Sequence, residues 1–166
     1  MDETIRIIIT GGTFDKDYDE LSGELTFRDT HLPAILKTVR LTVPVELEIN
    51  QLVDSLDMND QQRHGVVEAC VRAAEDRIVV THGTDTMVET ARLLDDRGIG
   101  KTVVLTGAMV PFAVSGSDAV FNLGCAIAAV QLLPHGVYVV MNGRVFPARD
   151  ARKNTGMGVF ESEGDG

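Results

Sequence analysis

Five short β-branched runs punctuate this chain: Ile5 to Thr10, Val43 to Ile49, Ile78 to Thr81, Thr102 to Thr106 and Val137 to Met141. Segments with helical spacing of apolar residues fall between them. Leu32, Ile35, Leu36 and Val39 share one helical face, as do Val66, Val67, Cys70, Val71 and Ala74, and then Met87, Ala91 and Leu94. Strands alternating with helices imply crossover connections, so the expected fold is α/β, a doubly wound, mostly parallel sheet with helices on both faces. The apolar content supports this, because 44% of residues are hydrophobic but only 5% are aromatic, which leaves the Val, Ile, Leu and Ala that fill strands buried on both faces.

A length of 166 residues fits one domain, expected over residues 1–160, followed by a flexible acidic, glycine-rich tail over residues 161–166. Two stretches depart from the alternation. Asp15 to Arg28 is acidic, contains Ser22-Gly23 and has a candidate strand at Leu25-Thr26-Phe27, so it reads as a long loop or hairpin, a common form of active-site lid. Ser117 to Leu133 is apolar on almost every helical face, which predicts a helix buried between the sheet and something else, such as a second subunit.

Fifteen basic against 25 acidic residues give a net charge of −10, which excludes a nucleic-acid or anionic-membrane surface as the main partner, since both need clustered Lys and Arg. Cys70 and Cys125 lie in apolar helical patterns without a CxxC neighbour and read as reduced core residues. The apolar run Ile5 to Ile9 is too short for a signal peptide or membrane span, so the expected location is cytoplasmic.

In a doubly wound sheet, ligands bind beyond the carboxyl ends of the strands. Four strand ends there carry Thr10-Gly11-Gly12-Thr13, Asp54-Ser55-Leu56-Asp57, Thr81-His82-Gly83-Thr84-Asp85 and Thr106-Gly107-Ala108-Met109. Glycines let the backbone turn sharply and bring its N–H groups to a ligand, and the hydroxyls beside them serve as donors or nucleophiles. Neither a G-x-G-x-x-G fingerprint nor a G-x-x-x-x-G-K-[ST] loop is present, which disfavours dinucleotide and ATP binding, and no cofactor is expected. No His pair has metal-ligand spacing, so no metal site is expected either. Thr84 or Asp85 can also be read as the N-cap of a helix over Thr86 to Arg97, and His82 as a hydrogen-bonded core histidine.

These four segments resemble, in order and spacing, the motif set of bacterial-type L-asparaginases and glutaminase-asparaginases. His82-Gly83-Thr84-Asp85-Thr86-Met87-Val88-Glu89-Thr90, Pro111 after the fourth segment, Ser117-Asp118, Phe121-Asn122-Leu123 and Arg149-Asp150-Ala151-Arg152-Lys153 extend the match through nearly the whole chain. The resemblance implies hydrolysis of the side-chain amide of L-asparagine, with L-glutamine a second candidate, through a threonine acyl-enzyme. It puts the nucleophile on Thr13, a second threonine with its carboxylate and lysine on Thr84, Asp85 and Lys153, and substrate contacts on Gly12, Ser55, Gly83, Asp85 and the carbonyl of Ala108. It also implies a homodimer or homotetramer, and a short single-domain form lacking the family's second, C-terminal domain.

A threonine hydroxyl is a poor nucleophile at neutral pH and needs a partner to take its proton. Lys153 can serve only if burial destabilises its ammonium, while Asp85 favours the charged form, so the residues alone leave open which hydroxyl attacks first. Several positions depart from the family pattern. Leu56 stands where a polar residue holds the substrate's amino group, Val110 replaces an Arg, and the loop looks shortened, with Tyr18 its one tyrosine. Weak substrate binding is therefore expected. Two other readings remain: a binding module without efficient turnover, and the amidase part of an amidotransferase that passes ammonia to a partner.

Overall fold

The computed structural model describes residues 3–164. Its central sheet has six strands: β1 (Ile5–Gly11), β4 (Val45–Val53), β5 (Arg77–Thr81), β6 (Thr102–Thr106), β7 (Gly136–Met141) and β8 (Arg144–Pro147). They lie in the order β4-β1-β5-β6-β7-β8, and every pairing is parallel except β7 with β8. A two-stranded hairpin, β2 (Asp17–Asp19) with β3 (Glu24–Thr26), follows β1, and a second, β9 (Ala151–Asn154) with β10 (Val159–Ser162), follows β8.

Four helices complete the layers: α1 (Leu32–Thr38), α2 (Asp60–Arg72), α3 (Met87–Arg97) and α4 (Ala119–Leu132). Successive strand residues point to opposite faces, so alternate β-branched residues build two cores. On one face Ile8, Ile78, Val80, Val103 and Leu105 pack against α2 and α3 through Val66, Cys70, Ala91 and Leu94. On the other, Ile7, Ile9, Val79 and Val104 pack against α1 and α4 through Leu32, Ile35, Leu123 and Ile127. The expected doubly wound sheet is thus present. α1 is shorter than its periodicity suggests, because Arg40 takes a left-handed φ of 54° and Val39 ends the helix.

Among the parallel strands β1 has β4 on one side and β5 on the other, so the chain reverses its direction of travel across the sheet between β1 and β5. Loops that leave those two strands diverge and open a crevice at their carboxyl ends, the topological switch point where open α/β sheets bind ligands.

Two expectations are modified. Residues 161–163 are not the free tail expected, since Glu161 and Ser162 in β10 pair with Arg152 and Ala151, and the Glu163 amide donates to Asp150 O at 2.8 Å; residues 165 and 166 lie outside the described residues. The apolar helix buries one face in the sheet and leaves Val120, Ala128 and Phe121, the last 59% accessible, on its outside. Among the described residues no helix is long and apolar enough to cross a membrane.

Candidate active site

Backbone packed on backbone builds the crevice. Gly12 follows β1 with φ 72°, and a methyl group at its Cα would lie 2.4 Å from the Cα of Gly83, which follows β5. A methyl on Gly83 would in turn lie 2.6 Å from Oγ of Ser55, after β4, and one on Gly107, after β6, would lie 2.4 Å from the carbonyl oxygen of His82. Such distances exclude any side chain, so glycine is required where the four strand ends converge. Thr13 and Thr84 are the next residues along from the touching pair, Gly12 and Gly83.

Thr84 is buried, and its Oγ1 accepts from Lys153 Nζ at 2.8 Å. The same amine donates to Asp85 Oδ1 at 2.7 Å. Lys153 sits on β9 with its side chain only 11% accessible, against 39% for Asp85, so the lysine is drawn inward to the threonine. The hairpin β9–β10 is what carries it there. Neither Thr84 nor Asp85 caps α3, contrary to that possibility in the sequence; Thr86 precedes the helix, which leaves both side chains free to face Lys153. Thr13 begins a single 3₁₀ turn, and its hydroxyl has no hydrogen-bond partner among the described residues. Nor does any described residue accept from the amide N–H of Thr13 or of Thr84.

Ser55 is buried and doubly tied to the third loop: its Oγ accepts from the Thr86 amide at 3.2 Å, and its carbonyl accepts from Thr86 Oγ1 at 3.0 Å. Ala108 is fully buried, and its loop is fixed from α4. Asn122 Nδ2 donates to Gly107 O at 2.8 Å, while the Asp118 carboxylate accepts from the amides of Met109 and Val110, each at 3.0 Å. Those backbone donors and Asn142 hold the Asp118 carboxyl below its usual range in spite of partial burial. Tyr18, by contrast, is 56% exposed on β2 and shares no hydrogen bond with any other site residue.

Charges alternate around the crevice. Lys16 pairs with Asp54, and burial of the Asp54 carboxyl is outweighed by that hydrogen bond, by the Leu56 amide and by the positive charges of Lys16 and Lys153, which hold it below the usual carboxylate range. Neither Lys16 nor Asp54 carries a role in the sequence; the alternation emerges only when the chain entering β2 folds Lys16 back toward the end of β4. His82 is wholly buried as a core histidine.

The family model described as Asparaginase, N-terminal matches residues 4–165. The chain belongs to the asparaginase family. Among its relatives, the probable periplasmic L-asparaginase of Haemophilus influenzae is 38% identical over 109 residues, covering 62% of this chain and 31% of that protein. One component of the glutamyl-tRNA(Gln) amidotransferase of Aeropyrum pernix is 32% identical over 151 residues, 86% of this chain and 35% of that protein. A solved structure, the probable cytoplasmic L-asparaginase of Campylobacter jejuni, superposes with a TM-score of 0.83 at 29% identity, over 98% of this chain and 53% of that one. This asparaginase-family chain thus spans about a third of those two curated relatives and about half of the solved one.

Proposed function

We propose that this protein hydrolyses the side-chain amide of L-asparagine to L-aspartate and ammonia. The observation that carries the reading is the Lys153 amine, 2.8 Å from the Thr84 hydroxyl and 2.7 Å from the Asp85 carboxylate, on a loop whose Gly83 packs against the glycine that precedes Thr13. In this scheme the Thr13 oxygen attacks the amide carbon. Its proton passes through Thr84 and Lys153 to the departing nitrogen as the C–N bond breaks, and ammonia leaves behind an ester on Thr13. Water then attacks that ester by the same proton path, releasing the carboxylate and restoring the hydroxyl. The amides of Thr13 and Thr84 serve the negative charge that develops on the substrate oxygen.

Substrate contacts fall to Gly12, Ser55, Gly83, Asp85 and the carbonyl of Ala108, with Tyr18 on the lid hairpin. Leu56, 71% exposed, offers no hydrogen bond to an amino group, so binding is weak, while the motifs at Thr13 and Thr84 suit a short amide and so favour asparagine over glutamine. No cofactor or metal enters the scheme. Ammonia release from L-asparagine and L-glutamine across micromolar to millimolar concentrations tests it; saturation at micromolar asparagine, or a preference for glutamine, overturns the substrate assignment.

The exposed face of α4 and the groove beside it, lined by Val39, Leu41, Val43, Val120 and Ala128, support a homodimer or homotetramer. Light scattering decides this, because a mass near the 18.0 kDa of one chain at micromolar concentration rejects it, and Ala128→Glu dissociates the oligomer if it forms through this face. A cytoplasmic location follows the likeness to the probable cytoplasmic L-asparaginase of Campylobacter jejuni.

A further inference from the structure

Behind the third loop, on the side away from the crevice, three polar side chains are sealed into the core between α2 and α3. His82 Nδ1 lies 2.7 Å from the carbonyl oxygen of Gly83, and its Nε2 lies 2.8 Å from the hydroxyl of Thr90. Arg63, on α2, places Nη1 2.6 Å from that same hydroxyl. His82 and Thr90 are completely buried and Arg63 nearly so. The amidase scheme uses none of the three, and burying a guanidinium and an imidazole costs stability unless each hydrogen bond is made.

Elementary valence fixes the direction of every bond. A carbonyl oxygen only accepts, so Nδ1 carries a hydrogen. Burial, helped by the nearby Arg63 charge and opposed by the Gly83 hydrogen bond, pushes the imidazole down to about 4, so the ring is neutral and has no second hydrogen. Nε2 must accept, and the Thr90 hydroxyl must donate to it. That hydroxyl has one hydrogen to give, so its oxygen accepts from Arg63. The relay runs one way, from a permanent positive charge to the Gly83 oxygen.

We propose that Arg63, Thr90 and His82 are positioning residues that polarise the Gly83–Thr84 peptide and so strengthen the Thr84 amide as a donor to the reacting substrate oxygen. The Gly83 carbonyl and the Thr84 N–H belong to one peptide group, and a hydrogen bond to the oxygen increases the dipole of the N–H. Arg63 has a second branch: Nη1 also lies 3.1 Å from Oγ1 of Thr86, the hydroxyl that donates to the Ser55 carbonyl. One buried cation thereby braces the second and third loops together. The inference rests on the amidase reading for its consequence, though not for its geometry.

Thr90→Val keeps the shape of the side chain and removes both hydrogen bonds, while Thr90→Ser keeps them. In ¹⁵N-labelled protein, NMR is expected to show the Nδ1–H tautomer of His82, an upfield move of the Thr84 amide proton in Thr90→Val, and its return in Thr90→Ser. In asparagine hydrolysis kcat is expected to fall about tenfold in Thr90→Val with KM within about twofold, and to recover in Thr90→Ser, a weakened donor costing less than the deleted one, for which losses run to about 10²–10³. An Nε2–H tautomer, an unmoved Thr84 amide, or a change confined to KM overturns the proposal. Wild-type protein that releases no ammonia defeats the amidase reading instead, and the NMR measurements then decide the relay alone. If Thr90→Val does not fold, Arg63→Met and Arg63→Lys put the same amide shift to the test from the head of the relay.

Discussion

The two threonines of the crevice follow glycines in mutual contact, yet the ground on either side of that contact is different. Thr84 stands on packed polar structure, with Lys153 on its hydroxyl, Asp85 beside the lysine and the Arg63–Thr90–His82 relay behind its peptide. Thr13 is half-buried with an unpartnered hydroxyl, and leads into a hairpin that shows Tyr18, Leu21 and Leu25 to solvent. Polar ties help restrain that hairpin, among them Lys16 with Asp54, His31 Nε2 with Asp17 at 3.1 Å, and the His31 amide, which donates to Asp15 at 2.9 Å. Such an arrangement suits a division of labour. In the proposed scheme the held threonine would keep a proton path assembled before substrate arrives, and the open one would receive the acyl group and tolerate the movement that this demands.

Removing either hydroxyl has the largest effect. Thr13→Ala and Thr84→Ala are each expected to lower kcat by about 10³ or more, with the double variant little worse than the poorer single one, because groups that act as a unit are not additive. Retention of most activity in either folded variant would falsify the division. Lys153→Met comes next, with a fall of about 10² to 10³ in rate that isolates the held side. Its thermal unfolding should move little, since Asp85 is partly exposed and loses a pairing worth no more than about 1 kcal/mol. A large loss of stability with activity retained would place the lysine in the scaffold.

The held side also leaves a signature in the pH dependence of folding. His82 titrates near 4 when folded, below its usual 6.5, so stability is full above pH 6.5 and is lost as pH falls toward 4. A shift of that size is worth roughly 3 kcal/mol at the acid end of the window. Asp15, whose carboxyl burial pushes upward, works in the opposite sense and softens the lower end of the fall. Urea midpoints measured between pH 7 and pH 5 should fall in the wild type and stay flatter in His82→Asn; equal slopes would show that His82 does not govern this range. The smallest effect belongs to the open side. Asp17→Asn weakens the hairpin's tie to His31 and should cost less than about 1 kcal/mol of stability, with any kinetic change appearing in KM. A collapse of kcat there would mean that the hairpin belongs to the proton path.

The sheet is plain in the sequence because Val and Ile runs between amphipathic helices leave few alternatives; all five runs form parallel strands. β8, β9 and β10 give no such signal, since runs of four residues, some rich in Arg and Lys, carry little apolar periodicity. The glycines at the strand ends are legible for a physical reason, as they mark contacts where no side chain fits. Lys153 is not readable on its own. Close to Arg149 and Arg152 it looks like a solvated lysine, and only the family resemblance singles it out until the hairpin is seen to turn it inward. Arg63 and Thr90 are hidden more deeply, because an Arg on an amphipathic helix normally faces water and no local pattern shows that a partner lies 27 residues on.

The glycine contacts at the base of the crevice carry a consequence for how this pocket can change. Walls made by Gly12, Gly83 and Gly107 have a fixed bore: every substitution there adds atoms where none fit, so mutation can neither widen nor reshape that end without moving strands. Variation is left to the rim, where Leu56 and Tyr18 stand largely in solvent. Libraries aimed at a new amide substrate should therefore recut the mouth and leave the throat alone.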